Sequence, residues 1–308
     1  QHFLDTGATI SGPVGSRLVF MQDSQSASSA GVNVDLIEVR DTAYLFSDGV
    51  VNTIVTVLAP AAADDVSTQI GSGTWTAGSF MQIGAFGRAD LQVRRGAVVS
   101  GPDVDMAVFG AASRATVGVT SGAALHSASF LRIGNEGQAV VGVSAGATLS
   151  ADQQIVLGAA TTGFGSLTAA GTTTLVSAGA FVTAGVLGRG EIGLSGGARL
   201  TAGGIVFLGS GTNSTGNVVV ESGAAIDSMG QLVVGGDGTG VVGIFGGSIT
   251  SRKGASGTNT AVLIGRRGTG IGTVTVDGAN SRLDAIDGHL VVGFGSLTAG
   301  DTAGGRGN

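Results

Sequence analysis

Apolar residues alternate with polar or small residues along most of the chain, and short alternating runs end at a glycine. A period of two is typical of strands, because successive side chains of a strand face opposite sides. The glycines that end these runs, which we call landmark glycines, recur along the chain at similar intervals. They are Gly84, Gly110, Gly134, Gly158, Gly188, Gly209, Gly235, Gly265 and Gly293. The mean interval of about 26 residues predicts a solenoid with one coil per unit.

Each unit contains three predicted strands whose apolar residues should face inward. The first strand ends at the landmark glycine, with inward pairs Met81/Ile83, Leu131/Ile133, Ile155/Leu157, Val206/Leu208, Leu232/Val234, Val262/Ile264 and Leu290/Val292. The second precedes a Gly-Ala pair such as Gly146-Ala147 or Gly179-Ala180, with inward pairs Leu91/Val93, Val117/Val119, Val141/Val143, Ile192/Leu194, Val218/Val220, Val242/Ile244 and Val274/Val276. The third has one inward residue, at Val99, Leu125, Leu149, Val182, Leu200 and Ile226.

These patterns predict an all-β chain folded as a right-handed parallel β-helix, in which each coil stacks on the previous one with its strands in register. At about 26 residues per coil, the chain would form roughly 12 coils. Residues 1–75 fit the repeat less well, so we expect irregular N-terminal coils or a cap there. Residues 76–308 are expected to form the regular repeats, cut inside the solenoid at the C-terminal end.

Composition narrows the class of protein further. Glycine supplies 58 of 308 residues without a Gly-X-Y period, which excludes collagen. The net charge of −6 argues against a nucleic-acid partner, because such binding needs clustered cations. Without cysteine there is no disulfide framework. No apolar run reaches the roughly 18 residues of a transmembrane helix, and the residues from Gln1 onward resemble no targeting signal. We therefore expect no direct membrane insertion of this chain.

The inventory of chemically active residues is short. Asp103 and Asp105 are two residues apart, the spacing of paired carboxylates on one strand face, and His126 follows in the next coil. We interpret Asp105 as part of a solvated turn before the first strand. The three histidines are widely separated and lack metal-ligand spacing, and the calcium-like run at 235–240 occurs once rather than in tandem. The sequence predicts no catalytic residue, no metal and no cofactor.

Two features are candidates for binding a partner. Residues 251–259 lengthen one unit and are predicted to protrude from the rod as a loop, which is where solenoids often carry recognition. Its candidate residues are Arg252, Lys253, Ser256, Thr258 and Asn259. The outward position of the first strand is apolar in the later units and predicts an exposed contact row. That row is Val156, Val186, Phe207, Val233, Leu263 and Val291.

The run from Gly272 to Leu283, followed by His289 to Gly293, closely resembles the glycine-rich repeats in passenger domains of large monomeric autotransporters. The resemblance covers the chain from about residue 76 onward. It implies a β-helical stalk at the surface of a Gram-negative bacterium, outer-membrane-anchored in the full-length protein or secreted. It also implies an adhesin that binds host cells, a host cell-surface receptor or an extracellular matrix protein such as fibronectin, or that self-associates with another copy of the passenger.

Two other functions stay open at this point. A β-helical polysaccharide-active enzyme predicts a groove with clustered acids along the rod. A passive structural stalk predicts that the activity is located elsewhere in a longer chain. We favour the noncatalytic adhesin because the sequence contains few catalytic groups.

Overall fold

A computed structural model describes residues 2–4, 9–21, 25–28, 31–254, 259–266, 268–293 and 306–307 of the chain. Over these residues every regular element is a strand and none is a helix. The strands form a parallel β-solenoid of about 11 turns with roughly 25 residues per turn. The predicted all-β solenoid is thus confirmed, with a coil number close to the expected 12.

The solenoid has three faces, numbered by the predicted strand that forms each of them. Face 1 contains Arg17–Phe20, Asp103–Met106, Phe130–Ile133, Gln154–Leu157, Phe181–Ala184, Val206–Leu208, Leu232–Val234, Thr260–Ile264 and His289–Val292. Face 2 is a sheet of 13 strands, namely His2–Leu4, Gln25–Ser28, Tyr44–Ser47, Asp65–Ile70, Arg88–Val93, Arg114–Val119, Gln138–Ser144, Phe164–Ala170, Arg189–Ser195, Thr215–Glu221, Thr239–Phe245, Ile271–Asp277 and Arg306–Gly307. Face 3 contains Thr9–Ser11, Val98–Gly101, Ala124–Ser127, Thr148–Ala151, Leu175–Ala178, Arg199–Ala202, Ala225–Ser228, Ser248–Arg252 and Arg282–Ile286.

Three longer strands, Gly31–Val39, Val50–Leu58 and Thr74–Ile83, run from face 3 to face 1 without interruption. They lie in the part of the chain where the sequence predicts irregular coils. The coil there is also shorter, since fewer residues separate Val39 from its register partner Leu58 than separate Ile133 from its partner Leu157. Residues 31–75 nevertheless stack on the same three-faced rod as the later coils.

The core is a continuous column of apolar side chains inside the rod. Leu131 and Ile133 of face 1, Val141 of face 2 and Leu125 of face 3 are all completely buried. Burial alternates along most strands, such as Arg114–Val119 and Gln138–Ser144, as the period of two predicts, because inward and outward side chains alternate. In the last coil, Leu290 and Val292 are half exposed, and no described strand pairs with the far side of His289–Val292.

The predicted register is wrong in the unit that contains Gly188. Val182 pairs with Ile155 and Val206, so it belongs to face 1 rather than to the third strand of the unit. Gly185 takes the landmark position, because its amide donates to Leu157 O at 2.8 Å. The third strand of this coil is instead Leu175–Ala178, in which Val176 is the inward residue. Gly179-Ala180 accordingly lies between faces 3 and 1.

A second register error involves Gly110. The position of the landmark glycine is filled by Ala107, whose amide donates to Ile83 O at 2.8 Å. Asp105 consequently lies within the face 1 strand, paired with Gln82 on one side and Arg132 on the other. The interpretation of Asp105 as a turn residue was therefore wrong.

Two physical reasons favour glycine at landmark positions such as Gly84 and Gly134. Both have positive φ values, +67° and +70°, which L side chains rarely adopt. A Cβ atom would also lie 2.0 Å from Arg114 O at Gly84 and 1.9 Å from Phe164 O at Gly134. The glycine thus lets the face 2 strand of a neighbouring coil approach the backbone at the corner.

Candidate functional site

The predicted loop at 251–259 is partly described. Ser251 is not in a loop but is buried near the end of a face 3 strand, where its hydroxyl lies within hydrogen-bond distance of two acceptors, Gly230 O at 2.9 Å and Ala261 O at 2.8 Å. Arg252 ends the same strand and is half-buried, whereas Lys253 and Asn259 are exposed. The other two candidate loop residues, Ser256 and Thr258, lie outside the described residues. The exposed flanks are therefore Lys253 and Asn259.

The predicted apolar row on face 1 differs from the observed row. Register places Val156 beside Thr183, and Thr183 beside Phe207, so the expected member Val186 lies outside the row. Val233 and Leu263 are in the row but only 1% and 6% exposed, so the prediction of an exposed position was wrong for both. Val156, Phe207 and Val291 are half-buried. Face 1 thus presents separate apolar side chains and no continuous exposed stripe along this row.

Asp103 and Asp105 are held by neighbouring coils. An Asp103 carboxylate oxygen accepts a hydrogen bond from the Phe130 amide at 3.1 Å. Asp105 forms an ion pair with Arg132, with 2.7 Å between Oδ1 and Nη1. Burial raises the pKa of Asp105, and the Arg132 guanidinium offsets only part of this rise. Both carboxylates therefore contribute to coil-to-coil contacts of face 1.

The register of face 3 brings His126 next to residues that the sequence did not single out. Its Nδ1 lies 2.9 Å from Ser150 Oγ, and its Nε2 lies 3.7 Å from an oxygen of Asp152. These are the residue types of a nucleophilic triad, but the Asp152 side chain is 64% exposed. The amides of Asp152 and Gln153 donate to carbonyls of the previous coil and cannot hold an oxyanion. His126 and Ser150 are separated in sequence by one coil, and this separation is the signal from which their contact could have been predicted.

The corner between faces 1 and 2 has turns that alternate in length along the rod. Four-residue turns occur at 40–43, 84–87, 134–137, 185–188 and 235–238. Between them lie longer turns of six or seven residues, at 59–64, 107–113, 158–163 and 209–214. The turns at 84–87, 134–137 and 185–188 each lie between two of these longer turns, which leaves a space that we call a notch. We number the notches over 84–87, 134–137 and 185–188 as first, second and third.

The first two notches contain side chains of the protein itself. In the first, Phe86 from the short turn stacks on Phe109 from the next long turn, with ring centroids 4.8 Å apart. In the second, the Glu136 carboxylate accepts the Gly110 amide at 2.8 Å, while the Thr162 hydroxyl donates to Glu136 O at 2.6 Å. The notches thus accommodate a planar ring in one case and a hydrogen-bonded carboxylate in the other.

The third notch is open. The residue of its short turn that corresponds to Phe86 and Glu136 is Leu187, which is 49% exposed. A cleft of about 510 Å³ lies here, a volume within the range of small-molecule sites. Its lining residues are Gln138, Thr161, Thr162, Gly163, Phe164, Leu187, Gly188, Arg189, Asn213 and Thr215. The number of residues between the landmark position and the second strand alternates in the sequence itself. Assigning the landmark position to Gly110 and Gly188 hid this alternation.

The charge in the third notch comes from one side chain. Arg189 lies over the ring of Phe164, with its guanidinium carbon 5.5 Å from the centroid, and forms an ion pair with Glu191. The ion pair leaves other guanidinium N–H groups able to bind a ligand, because the guanidinium carries five donors in total. The other polar side chains in the lining are threonine hydroxyls and the amides of Gln138 and Asn213.

A second cleft of about 510 Å³ lies between faces 3 and 1. Ser150 and Asp152 line it, together with Ser177, Thr201 and Met229. In the described part of the chain, no three histidine, aspartate or glutamate side chains come together as a metal site would require. The same residues include no helix able to cross a membrane.

Comparison with known proteins gives no relative: no family model, curated protein or solved structure matches this chain.

Proposed function

We propose that the chain is a noncatalytic segment of a bacterial autotransporter passenger, located at the cell surface or secreted, and that it acts as an adhesin. The observation that supports this proposal is the parallel β-solenoid of about 11 turns, with the resemblance of its repeats to such passengers. A solenoid makes contacts only between neighbouring coils, so it extends into a rod with a large lateral surface. A rod of this kind suits binding at a distance from the cell.

The partner would be a host matrix protein such as fibronectin, a cell-surface receptor or a second copy of the rod. Half-exposed apolar side chains occur on several parts of the surface, including Val140 on face 2 and Met229 beside the second cleft. They are scattered over the rod, which favours an extended contact over one deep pocket. The exposed Lys253 and Asn259 belong to the predicted loop at 251–259 and are further candidates for contact.

Purified protein tests this proposal directly. Binding to immobilised fibronectin and to host cells would be measured by surface plasmon resonance and flow cytometry, and self-association by analytical ultracentrifugation. We expect saturable binding in at least one of these assays. A folded, monomeric protein that binds neither matrix proteins nor cells would contradict the adhesin proposal and favour a passive stalk.

A polysaccharide-active enzyme is the second candidate, because Ser150 and His126 are hydrogen-bonded at the edge of the second cleft. Its test is the release of acetate or reducing ends from soluble polysaccharides. Activity that disappears in both Ser150→Ala and His126→Ala would support the enzyme. Activity that is absent, or unchanged in these variants, would exclude a role for this pair of residues.

A further inference from the structure

The three notches differ in what fills them, although the backbone around them repeats every two coils. Phe86 and Phe109 fill the first, and Glu136 with its hydrogen bonds fills the second. Leu187 is too short and too apolar to do either in the third, which leaves the cleft of about 510 Å³. The third notch is therefore a recess, and its neighbours show that this corner can hold a planar or a hydrogen-bonding group.

The lining of the third notch combines two kinds of surface. Leu187 and the ring of Phe164 are apolar, while Gln138, Asn213 and the threonines supply donors and acceptors that carry no charge. Such a lining suits a ligand with many hydroxyl groups and an apolar face. A sugar ring has both, because its hydroxyls project around the edge and its C–H bonds form a less polar face.

Other classes of ligand fit this lining less well. An extended peptide binds a sheet through main-chain hydrogen bonds. Here the amides of Arg189 and Thr215 already donate to Gly163 O and Gly188 O in the corner. A nucleic acid or an anionic membrane needs several cations, but the lining contains only Arg189, which is paired with Glu191.

We propose that the third notch binds part of a glycan chain: one sugar residue packs its C–H face on Leu187 and Phe164, and this residue and its neighbours in the chain hydrogen-bond to Gln138, Asn213 and the threonines. Successive residues of the chain would follow the corner along the row Gln138, Phe164, Arg189 and Thr215, which are register partners in adjacent coils. This inference does not depend on the adhesin proposal, since it concerns binding by the purified rod.

Isothermal titration calorimetry with four soluble hexasaccharides tests the inference: neutral cellohexaose and chitohexaose, and acidic hyaluronan and oligogalacturonate. We expect at least one of them to bind the wild-type protein. Leu187→Phe should weaken that binding at least tenfold, because the new ring would fill the third notch as Phe86 fills the first. Gln138→Ala should weaken it severalfold through the loss of hydrogen bonds.

Two matched controls keep the result interpretable. Phe86→Leu makes the reverse exchange at the first notch, and Gln153→Ala removes an exposed glutamine at a different corner. Both should bind like the wild type, and all variants should melt within a few degrees of it. Absence of binding by all four hexasaccharides, or binding unchanged in a folded Leu187→Phe variant, would overturn the inference. Either result would leave fibronectin binding, and thus the adhesin proposal, to be judged separately.

Discussion

The interior of the rod and the corner between faces 1 and 2 repeat with different periods. Inside, most coils place apolar residues at the same positions, so Leu131, Ile155 and Val182 stack on one another. At the corner, turns of four residues alternate with turns of six or seven, so the period is two coils. This difference indicates that stacking imposes the same kind of inward residue on most coils, whereas the turns of the corner can differ in length and so form a site.

The largest expected effect is in the interior. Leu131→Ala should lower the free energy of unfolding by about 2–5 kcal/mol, because it leaves a cavity among completely buried side chains. Leu187→Ala makes the same chemical change at the half-exposed residue of the corner. Chemical denaturation of both variants measures the contrast, and we expect a loss below about 1 kcal/mol for Leu187→Ala. Equal losses of unfolding free energy in the two variants would contradict the distinction between interior and corner.

The next effect concerns the landmark glycines. Gly134→Ala should destabilise the rod by about 1–3 kcal/mol, because φ is positive and the new Cβ would collide with Phe164 O. Gly142→Ala is the control, since a Cβ there would meet only Thr168 Oγ1, at 3.9 Å. Thermal unfolding should show a large drop for the first variant and little change for the second. A tolerated alanine at position 134 would refute the requirement for glycine at this landmark position.

Corner turns should tolerate changes of length. Deleting Thr161 and Thr162 leaves Gly-Ala-Ala-Gly, which resembles the short turn Gly-Ala-Phe-Gly at 84–87. The entropy of loop closure changes by less than about 0.6 kcal/mol, so the unfolding free energy should change little. Hexasaccharide binding should be lost, because one wall of the third notch is removed. Unfolding of the variant at room temperature would show that the long turns are needed for stacking.

The smallest effects are on outward charges of face 1, and two carboxylates there should respond to pH in opposite ways. The pKa of Asp105 is raised by burial, so its contribution to stability is present below pH 3.8 and lost as pH rises through the raised pKa. Burial raises the pKa of Glu38 too, but hydrogen bonds and charges of Arg17 and Arg40 outweigh this and hold it below its usual value. Glu38 therefore stabilises the rod above pH 4.5 and loses this effect as pH falls through the lowered pKa.

Denaturation at several pH values measures both responses. Relative to the wild type, Asp105→Asn should gain stability as pH rises through the Asp105 window. Glu38→Gln should instead lose stability relative to the wild type as pH rises from below the lowered pKa to 4.5. The same sign for both variants would contradict the assigned causes of the two pKa shifts.

The interior could be predicted from sequence because its rule is local: apolar residues at every second position of short strands. Alternation alone predicts that Leu131, Val141 and Leu125 face inward, and all three are buried. The register was harder to predict, because many glycines could be mistaken for the landmark glycine of a coil. At 107–110 an alanine takes the landmark position, and at 185–188 a glycine occurs at each end of one turn.

The third notch could not be predicted, because its lining comes from four coils and depends on register. An error of three residues at Gly188 placed Val186 on face 1 and moved Leu187 away from the corner turn. The contact of His126 with Ser150 likewise requires the pairing of two coils. Side chains that are distant in sequence meet only when every intervening turn length is correct.

Disulfide cross-linking tests the register of this region most directly, because the protein has no cysteine of its own. Val156 and Thr183 are register partners on adjacent strands of face 1, at a spacing that a disulfide can bridge. Under mild oxidation, Val156→Cys combined with Thr183→Cys should form an intramolecular disulfide, and Val156→Cys combined with Val186→Cys should not. Cross-linking of the 156/186 pair without the 156/183 pair would contradict the alternating turns and the third notch built from them.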